Sequence, residues 1–276
     1  MQCRNYSKGL ITGSLCGPLC DTHEIKFEKC LGHGVKLHVL RAKWNENTII
    51  LKTPKAHGRT RSAQSFVTAL TSQEDFKMTH EEFMKSVSII TQTVLSLSLS
   101  LSLPPPLSLS LSLHLSLILF FSLQANLSVT YGIAGRTYTS QTTDILNEIF
   151  AECDVGRDGI LLFNESITCW DLIGSDEYML YMMLRDSSAA LDVYGTCGNM
   201  YAVQYADAEP YMGNKTSLSE TRPWSLRAQL AIAILELIES IERTPYGTLY
   251  LCDVLEANFG VVRTLIKFCS IIFYVT

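Results

Sequence analysis

Between Ser86 and Gly135 the chain carries no Asp, Glu, Lys or Arg, and this stretch governs how the rest must be read. From Leu95 to Leu119 every odd position is Leu except Pro105, and the even positions are mostly Ser. Strict alternation is the pattern of a half-buried strand. Strands run about 3–10 residues, however, and Pro104-Pro105-Pro106 interrupts this one. A membrane-spanning helix needs ~20 mainly apolar residues. Alternating Ser would place hydroxyls on every side of such a helix, and no Lys or Arg flank orients it. A CT dinucleotide repeat read in triplets gives Leu-Ser directly. Drift towards C gives Pro, and drift towards T gives Phe, as at Phe120-Phe121. The segment is therefore expected to be a translated non-coding repeat, with a disordered or membrane-associated insert as the alternative. The foldable sequence lies on either side of it.

The balance of charge is mildly acidic: 22 Lys+Arg against 27 Asp+Glu, a formal charge of −5. It leaves no footprint for nucleic acid or for an anionic membrane surface. Four of the nine cysteines, Cys3, Cys16, Cys20 and Cys30, fall at the N-terminus. Only Cys16 and Cys20 have the C-x2-4-C spacing of a zinc knuckle. Disulfides in an oxidising compartment are the leading reading, with zinc and free thiols left open. The sequons at Asn5, Asn126, Asn164 and Asn214 point to the same compartment and to a glycoprotein. Met1-Gln2-Cys3-Arg4 is too polar to open a signal peptide.

Leu37 to Lys52 reads as a β-hairpin turning at Asn45-Glu46-Asn47, with Thr48-Ile49-Ile50-Leu51-Lys52 as the return strand. Thr79-His80-Glu81-Glu82 is a capping box for a helix that buries Phe83 and Val87. Beyond the Leu/Ser segment, Asp154 to Glu165 has the spacing of an EF-hand loop. Asp154 stands at position 1, Asp158 at 5, Gly159 at 6, the Ile160 carbonyl at 7 and Glu165 at 12. Gly156 at position 3 and Leu162 at position 9 withhold side-chain ligands, so calcium affinity should fall to the ~10⁻⁴–10⁻³ M range. A helix–loop–helix that keeps the shape without metal is the alternative.

Glu177 then opens a short helix with Leu180 and Leu184 on one face. Two short strands follow, Leu191–Tyr194 and Met200–Tyr205, joined by Gly195-Thr-Cys-Gly198-Asn. A long amphipathic helix spans about Trp224 to Arg243, burying Leu226, Leu230, Ile234, Leu237, Ile238 and Ile241. Asp253 and Asn258 follow, with the D-x4-N spacing of a kinase catalytic loop, where a carboxylate meets the substrate hydroxyl and an amide holds magnesium. Lys52, ending an apolar hairpin strand, resembles the phosphate-holding lysine of protein kinases, with a solvated lysine at a strand end as the alternative.

Together, Cys3…Tyr6-Ser-Lys-Gly9, Gly13-Ser-Leu-Cys16-Gly-Pro-Leu-Cys20, Cys30-Leu, Ile50-Leu-Lys52, the EF-hand loop, Gly195-Thr-Cys-Gly198 and Leu251-Cys-Asp253-x4-Asn258-Phe-Gly carry a family resemblance. The chain resembles the divergent protein kinase domain 1 family, known as "family with sequence similarity 69", over about residues 1–53 and 140–262. The resemblance implies an endoplasmic-reticulum kinase-like protein, membrane-anchored with its domain in the lumen, carrying an EF-hand insert in the small lobe and acting on an unknown lumenal protein. It implies ATP and magnesium as cofactors beside calcium. It gives Lys52 as the phosphate lysine and Glu177 as its helix partner, with Glu82 second. Asp253 becomes the catalytic base and Asn258 the metal ligand.

The fold expected is α+β: a protein-kinase-like small lobe with an EF-hand insert and a truncated large lobe. The organisation expected is a cysteine-rich module over 1–35, the first part of the small lobe over 36–93, and the Leu/Ser insert over 94–137. The EF-hand-like insert follows over 138–175, then the rest of the small lobe, hinge and start of the large lobe over 176–262, and a divergent tail over 263–276. Leu251 and Cys252 stand where the catalytic His and Arg belong, and no D-F-G aspartate follows Val262. The signal anchor is expected to be missing. The chain is therefore expected to be an inactive relative of an ATP-dependent phosphotransferase. A calcium-responsive pseudokinase scaffold is the alternative.

Overall fold

The computed structural model describes residues 2–33, 37–54, 76–87, 140–187, 190–206, 224–242, 249–251, 259–262, 265–268 and 273–275. The Leu/Ser insert lies outside these residues.

A five-stranded antiparallel sheet organises the molecule. Its strands are β1 (Ile25–His33), β2 (Leu37–Trp44), β3 (Asn47–Pro54), β6 (Val193–Cys197) and β7 (Met200–Gln204), in the order β1-β2-β3-β7-β6. The β2–β3 hairpin turns at Asn45, whose φ of 50° suits the short polar side chain of Asn. Along β3, Ile49, Ile50, Leu51 and Lys52 are all buried. Side chains alternate faces along a strand, so an unbroken buried run means that both faces of the sheet are covered.

The two faces have different partners. Ile49 and Leu51 join Ala42, Met200 and Ala202 on one face, where Ile11, Leu15 and Cys16 of the N-terminal segment close over them. Ile50 joins Tyr201 and Val203 on the other face, against the helices. The N-terminal segment includes α1 (Gln2–Tyr6) and a π-helical turn at Gly17–Asp21. It packs directly against one face of the sheet. β1 was not foreseen in the sequence. It carries two irregularities in its pairing with β2 and interleaves charged residues with its apolar ones, which hid its period.

The helical face is built by β4 (Lys77–Thr79), α2 (80–87), α3 (Ser140–Cys153), β5 (Ile160–Leu162), α4 (Phe163–Ile173) and α5 (Asp176–Met183). Phe83, Ile149, Leu161, Trp170, Leu172, Tyr178 and Tyr181 fill its centre. Gly174 ends α4, and Ser175 caps α5 by accepting a hydrogen bond from Tyr178 N. β6 begins and ends later than expected. Gly195-Thr-Cys197 belongs to the strand, and only Gly198-Asn199 turns into β7.

α6 (Trp224–Glu242) fills the place foreseen for the long amphipathic helix. It buries Leu237 and Ile241 in the main core and leaves Trp224, Ile232 and Leu235 exposed. Leu226 and Leu230 lie among side chains the structure does not describe. Two further pairings follow. β8 (Leu249–Leu251) pairs with β11 (Phe273–Val275), and β9 (Phe259–Val262) pairs with β10 (Leu265–Phe268). The segment read as a divergent tail therefore supplies two paired strands. Among the described residues no helix is long and apolar enough to cross a membrane.

Candidate functional site

Lys52 is the last buried residue of β3 and points to the helical face. Its Nζ donates to Glu177 Oε1 at 2.6 Å and to the Tyr181 hydroxyl at 2.9 Å. Glu177 and Tyr181 lie four residues apart on α5, hence on one face of that helix. Tyr201 stands directly across from Lys52 in the β3–β7 register, and its hydroxyl donates to Glu177 Oε2 at 3.0 Å. Both carboxylate oxygens are thus satisfied, and the Tyr181 ring lies 5.2 Å from the ammonium. Lys52 and Glu177 are only 3% and 7% exposed. A buried charge pair is tolerable when its remaining polar capacity is hydrogen-bonded, and the two tyrosines meet that condition here.

The sequence pointed to Lys52 and Glu177 but to neither tyrosine. Tyr181 was within reach of the four-residue helical spacing. Tyr201 depends on a cross-strand register that no local pattern reveals. Glu82, the second choice as partner, does a different job. Its Oε2 accepts from Thr79 N at 2.8 Å and Thr79 Oγ1 at 2.9 Å, capping α2. The Thr79 backbone N–H, then its hydroxyl, hold this exposed carboxylate below its usual range. Asp253 and Asn258 lie outside the described residues. The strands that flank them, β8 and β9, end at Leu251 and start at Phe259.

The cysteines correct one assignment. Cys3 bonds to Cys20, and Cys16 bonds to Cys197 on β6. Cys30 belongs to neither bridge; it sits on exposed β1, its Sγ 3.8 Å from the Val39 carbonyl. Its expected place is taken by Cys197, because the N-terminal segment docks on β6. Leu15 N donates to the Thr196 carbonyl at 2.8 Å, and Gly198 N donates to the Thr12 carbonyl at 2.7 Å. The approach needs glycine on both sides. A Cβ on Gly13 would lie 2.3 Å from the Thr196 carbonyl oxygen, and one on Gly195 would lie 2.3 Å from Ser14 Oγ. These are the two glycine-cysteine motifs of the resemblance, and here they are one contact.

The 154–165 loop sits between α3 and α4, as its spacing requires. Gly159 has φ +77° and makes the turn. The loop carboxylates are held by the loop's own amides. Asp154 accepts from Gly159 N at 2.8 Å and Asp158 N at 3.3 Å. Asp158 accepts from Ile160 N at 3.0 Å. Glu165 accepts from Val155 N at 3.1 Å and Leu162 N at 2.8 Å, so it caps α4. A Cβ on Gly156 would lie 3.8 Å from Asp154 Oδ1 and 3.7 Å from Asp158 Cγ. Two carboxylates therefore flank one space, with Glu165 turned to its amides. Among the described residues no three His, Cys, Asp or Glu side chains are gathered as a metal site. Asp154, Asp158, the Ile160 carbonyl and Glu165 all lie on this one loop, and its carboxylates keep lone pairs beyond those the amides use. Just before the loop, burial, then the neighbouring Cys169 thiol, pushes the Cys153 thiol well up from its ordinary value.

A five-stranded antiparallel sheet, a short helix packed on one face, and a buried lysine–glutamate pair between them form an α+β arrangement compatible with a protein-kinase-like domain. The sequence agrees region by region. The family model for the "Protein-kinase domain of FAM69" matches residues 169–269, and that for the "N-term cysteine-rich ER, FAM69" region matches residues 1–100. The chain belongs to the FAM69 family of divergent kinase-like proteins, whose cysteine-rich region associates it with the endoplasmic reticulum. No solved structure matches it.

Proposed function

We propose that this chain is a phosphotransferase-type domain of the endoplasmic-reticulum lumen that does not itself turn over ATP. The observation that carries the reading is the Lys52–Glu177 pair, 2.6 Å apart and buried between β3 and α5. In protein kinases that pair sets the lysine against the nucleotide phosphates. Lys52 would serve there, with Asp253 as the base and Asn258 as a magnesium ligand. ATP would supply the phosphoryl group and magnesium the charge neutralisation around it.

Inactivity rests on residue chemistry. Leu251 and Cys252 replace the His and Arg that precede the catalytic Asp. The two disulfides support a lumenal position, since such bridges persist in oxidising compartments. The partner would be a lumenal protein. The decisive experiment is transfer of labelled phosphate from ATP and magnesium to a generic protein substrate, comparing the chain with Asp253→Ala. Equal background counts are expected. Turnover that disappears in Asp253→Ala would overturn the reading.

A second reading, a calcium-responsive scaffold, is favoured by the Asp154 and Asp158 carboxylates flanking the space beside Gly156. Glu165 would join them through the lone pairs left free by the Val155 and Leu162 amides. Weak binding, with Kd around 10⁻⁴–10⁻³ M, is expected. A calcium titration of the whole chain followed by tryptophan fluorescence tests it, and no response by ~10 mM, above that affinity range, ends it.

A further inference from the structure

Glu152 is the penultimate residue of α3, two positions before Asp154 opens the 154–165 loop. Its Oε1 accepts hydrogen bonds from two distant parts of the chain. Ser14 Oγ donates to it from the N-terminal segment, and Thr196 N at 3.1 Å and Thr196 Oγ1 at 3.0 Å donate from β6. Ser14 Oγ itself accepts from Thr196 N at 3.3 Å, which closes the group. The N-terminal segment also reaches the other arm of the helix–loop–helix. Thr12 N donates to Thr168 Oγ1 at 3.4 Å, and that hydroxyl donates to the Asn164 carbonyl at 3.1 Å in the first turn of α4. The two contacts bracket the loop, one at Glu152 and the other at Thr168, three residues past Glu165. Residues 12–16 are in turn fixed to β6 by Leu15 N on the Thr196 carbonyl, by Gly198 N on the Thr12 carbonyl and by the Cys16–Cys197 bridge.

We propose that residues 12–16 are a clamp on the helix–loop–helix, anchored to the sheet by the Cys16–Cys197 bridge and latched by Glu152, a positioning residue for the loop carboxylates. The loop keeps its shape through Asp154 and Glu165, which accept from its own amides. The place of Asp154 follows from the last turn of α3, and that of Glu165 from the first turn of α4. An element that grips both turns sets the distance between the two carboxylates. Glu152 is the stronger grip, because hydrogen bonds to an ionised acceptor contribute more than neutral ones. Thr12 to Thr168 is a neutral contact and the weaker of the two. Loosening the clamp at the sheet therefore loosens the loop, and Glu152 carries most of that effect. The inference concerns the loop's own hydrogen bonds and stands whether or not the loop binds calcium or the chain transfers phosphate.

The test reads amide hydrogen exchange at Val155, Asp158, Gly159 and Leu162 in the full chain. Rates are taken relative to the β2–β3 amides, so that a purely global loss of stability moves both alike. Glu152→Ala should speed the loop amides on the order of ten- to a hundredfold, the equilibrium factor for losing hydrogen bonds to a charged acceptor. Glu152→Gln, which keeps an accepting oxygen, should recover most of the protection. Glu148→Ala is the control, since that carboxylate lies one turn earlier on α3 and pairs with Arg185 instead. Ser14→Ala, which keeps the bridge, should speed the same amides in the native chain and add little once Glu152 is Ala. Cys16→Ser with Cys197→Ser should behave likewise, and Ser14→Ala decides the matter if that double change unfolds the chain. Native loop rates in Glu152→Ala would overturn the proposal. So would effects of Ser14→Ala and Glu152→Ala that multiply in full, or an equal effect from Glu148→Ala.

Discussion

Glu177 touches three partners through two oxygens: Lys52 Nζ at 2.6 Å and the Tyr181 hydroxyl at 3.3 Å on Oε1, and the Tyr201 hydroxyl at 3.0 Å on Oε2. The carboxylate therefore joins α5 to two neighbouring strands of the sheet. Position of α5 and position of Lys52 are one variable in this lobe. In kinases a movable helix of this kind regulates phosphate binding; here two additional hydroxyls pin the glutamate.

Removing one pin should be felt without collapse. Tyr201→Phe keeps the ring packing against Tyr178 and deletes the hydrogen bond to a charged group. A loss of about 1.5–3 kcal/mol is expected, read as the shift in urea midpoint at constant slope. A loss below ~0.5 kcal/mol, the range of an uninvolved surface site, would mean the hydroxyl does not hold Glu177.

The Cys16–Cys197 bridge closes a loop with a sequence separation of 181, against 17 for Cys3–Cys20. Longer loops restrict the unfolded chain more. Cys16→Ser with Cys197→Ser should cost about 2–5 kcal/mol and exceed the cost of the Cys3/Cys20 double change. Thermal melts of the two variants decide the order.

The glycine contact makes a sharper case. Gly13→Ala and Gly195→Ala each force a Cβ into an atom 2.3 Å away, at φ values of +143° and +147°. Losses of at least ~2 kcal/mol are expected for each. Gly17, with nothing within 4 Å of its added Cβ, is the control, and its change to Ala should stay within ~0.5 kcal/mol. Denaturant midpoints of the three variants measure this.

Asp171 on α4 supplies a pH signature. Burial pushes its carboxyl up from 3.8 to about 7. Between those values the folded chain binds a proton that the unfolded chain has lost. Stability from this group therefore falls as pH rises through that window and levels off above it. Asp171→Asn should stabilise the chain by on the order of 2 kcal/mol at pH 8, and by nothing near pH 4. Urea unfolding at the two values checks the difference, and equal effects at both would contradict the assignment.

What could be read from the sequence was local. The β2–β3 hairpin, the Thr79–Glu82 cap, the helices flanking Asp154–Glu165 and the helix that opens at Glu177 all announce themselves within a few turns of chain. What could not be read depends on distant pairing. Cys197 became the partner of Cys16 only through the docking of Gly13 on β6, and Tyr201 entered the site only through its register with Lys52. β1 was hidden by bulges that break its alternation. Glu165 holds a metal-ligand position in sequence, and the same spacing makes it the cap of α4 in the fold.

The most direct test of the kinase-like lobe is a double-mutant cycle on Lys52 and Glu177. Lys52→Met or Glu177→Gln alone leaves a buried charge unpaired and should cost about 3–5 kcal/mol. Made together, the changes should cost less than the sum by more than about 1.5 kcal/mol, as for contacting residues in one network. Additivity within ~0.5 kcal/mol would mean that the two side chains do not meet, and the account of a lysine–glutamate pair at the centre of this lobe would be wrong.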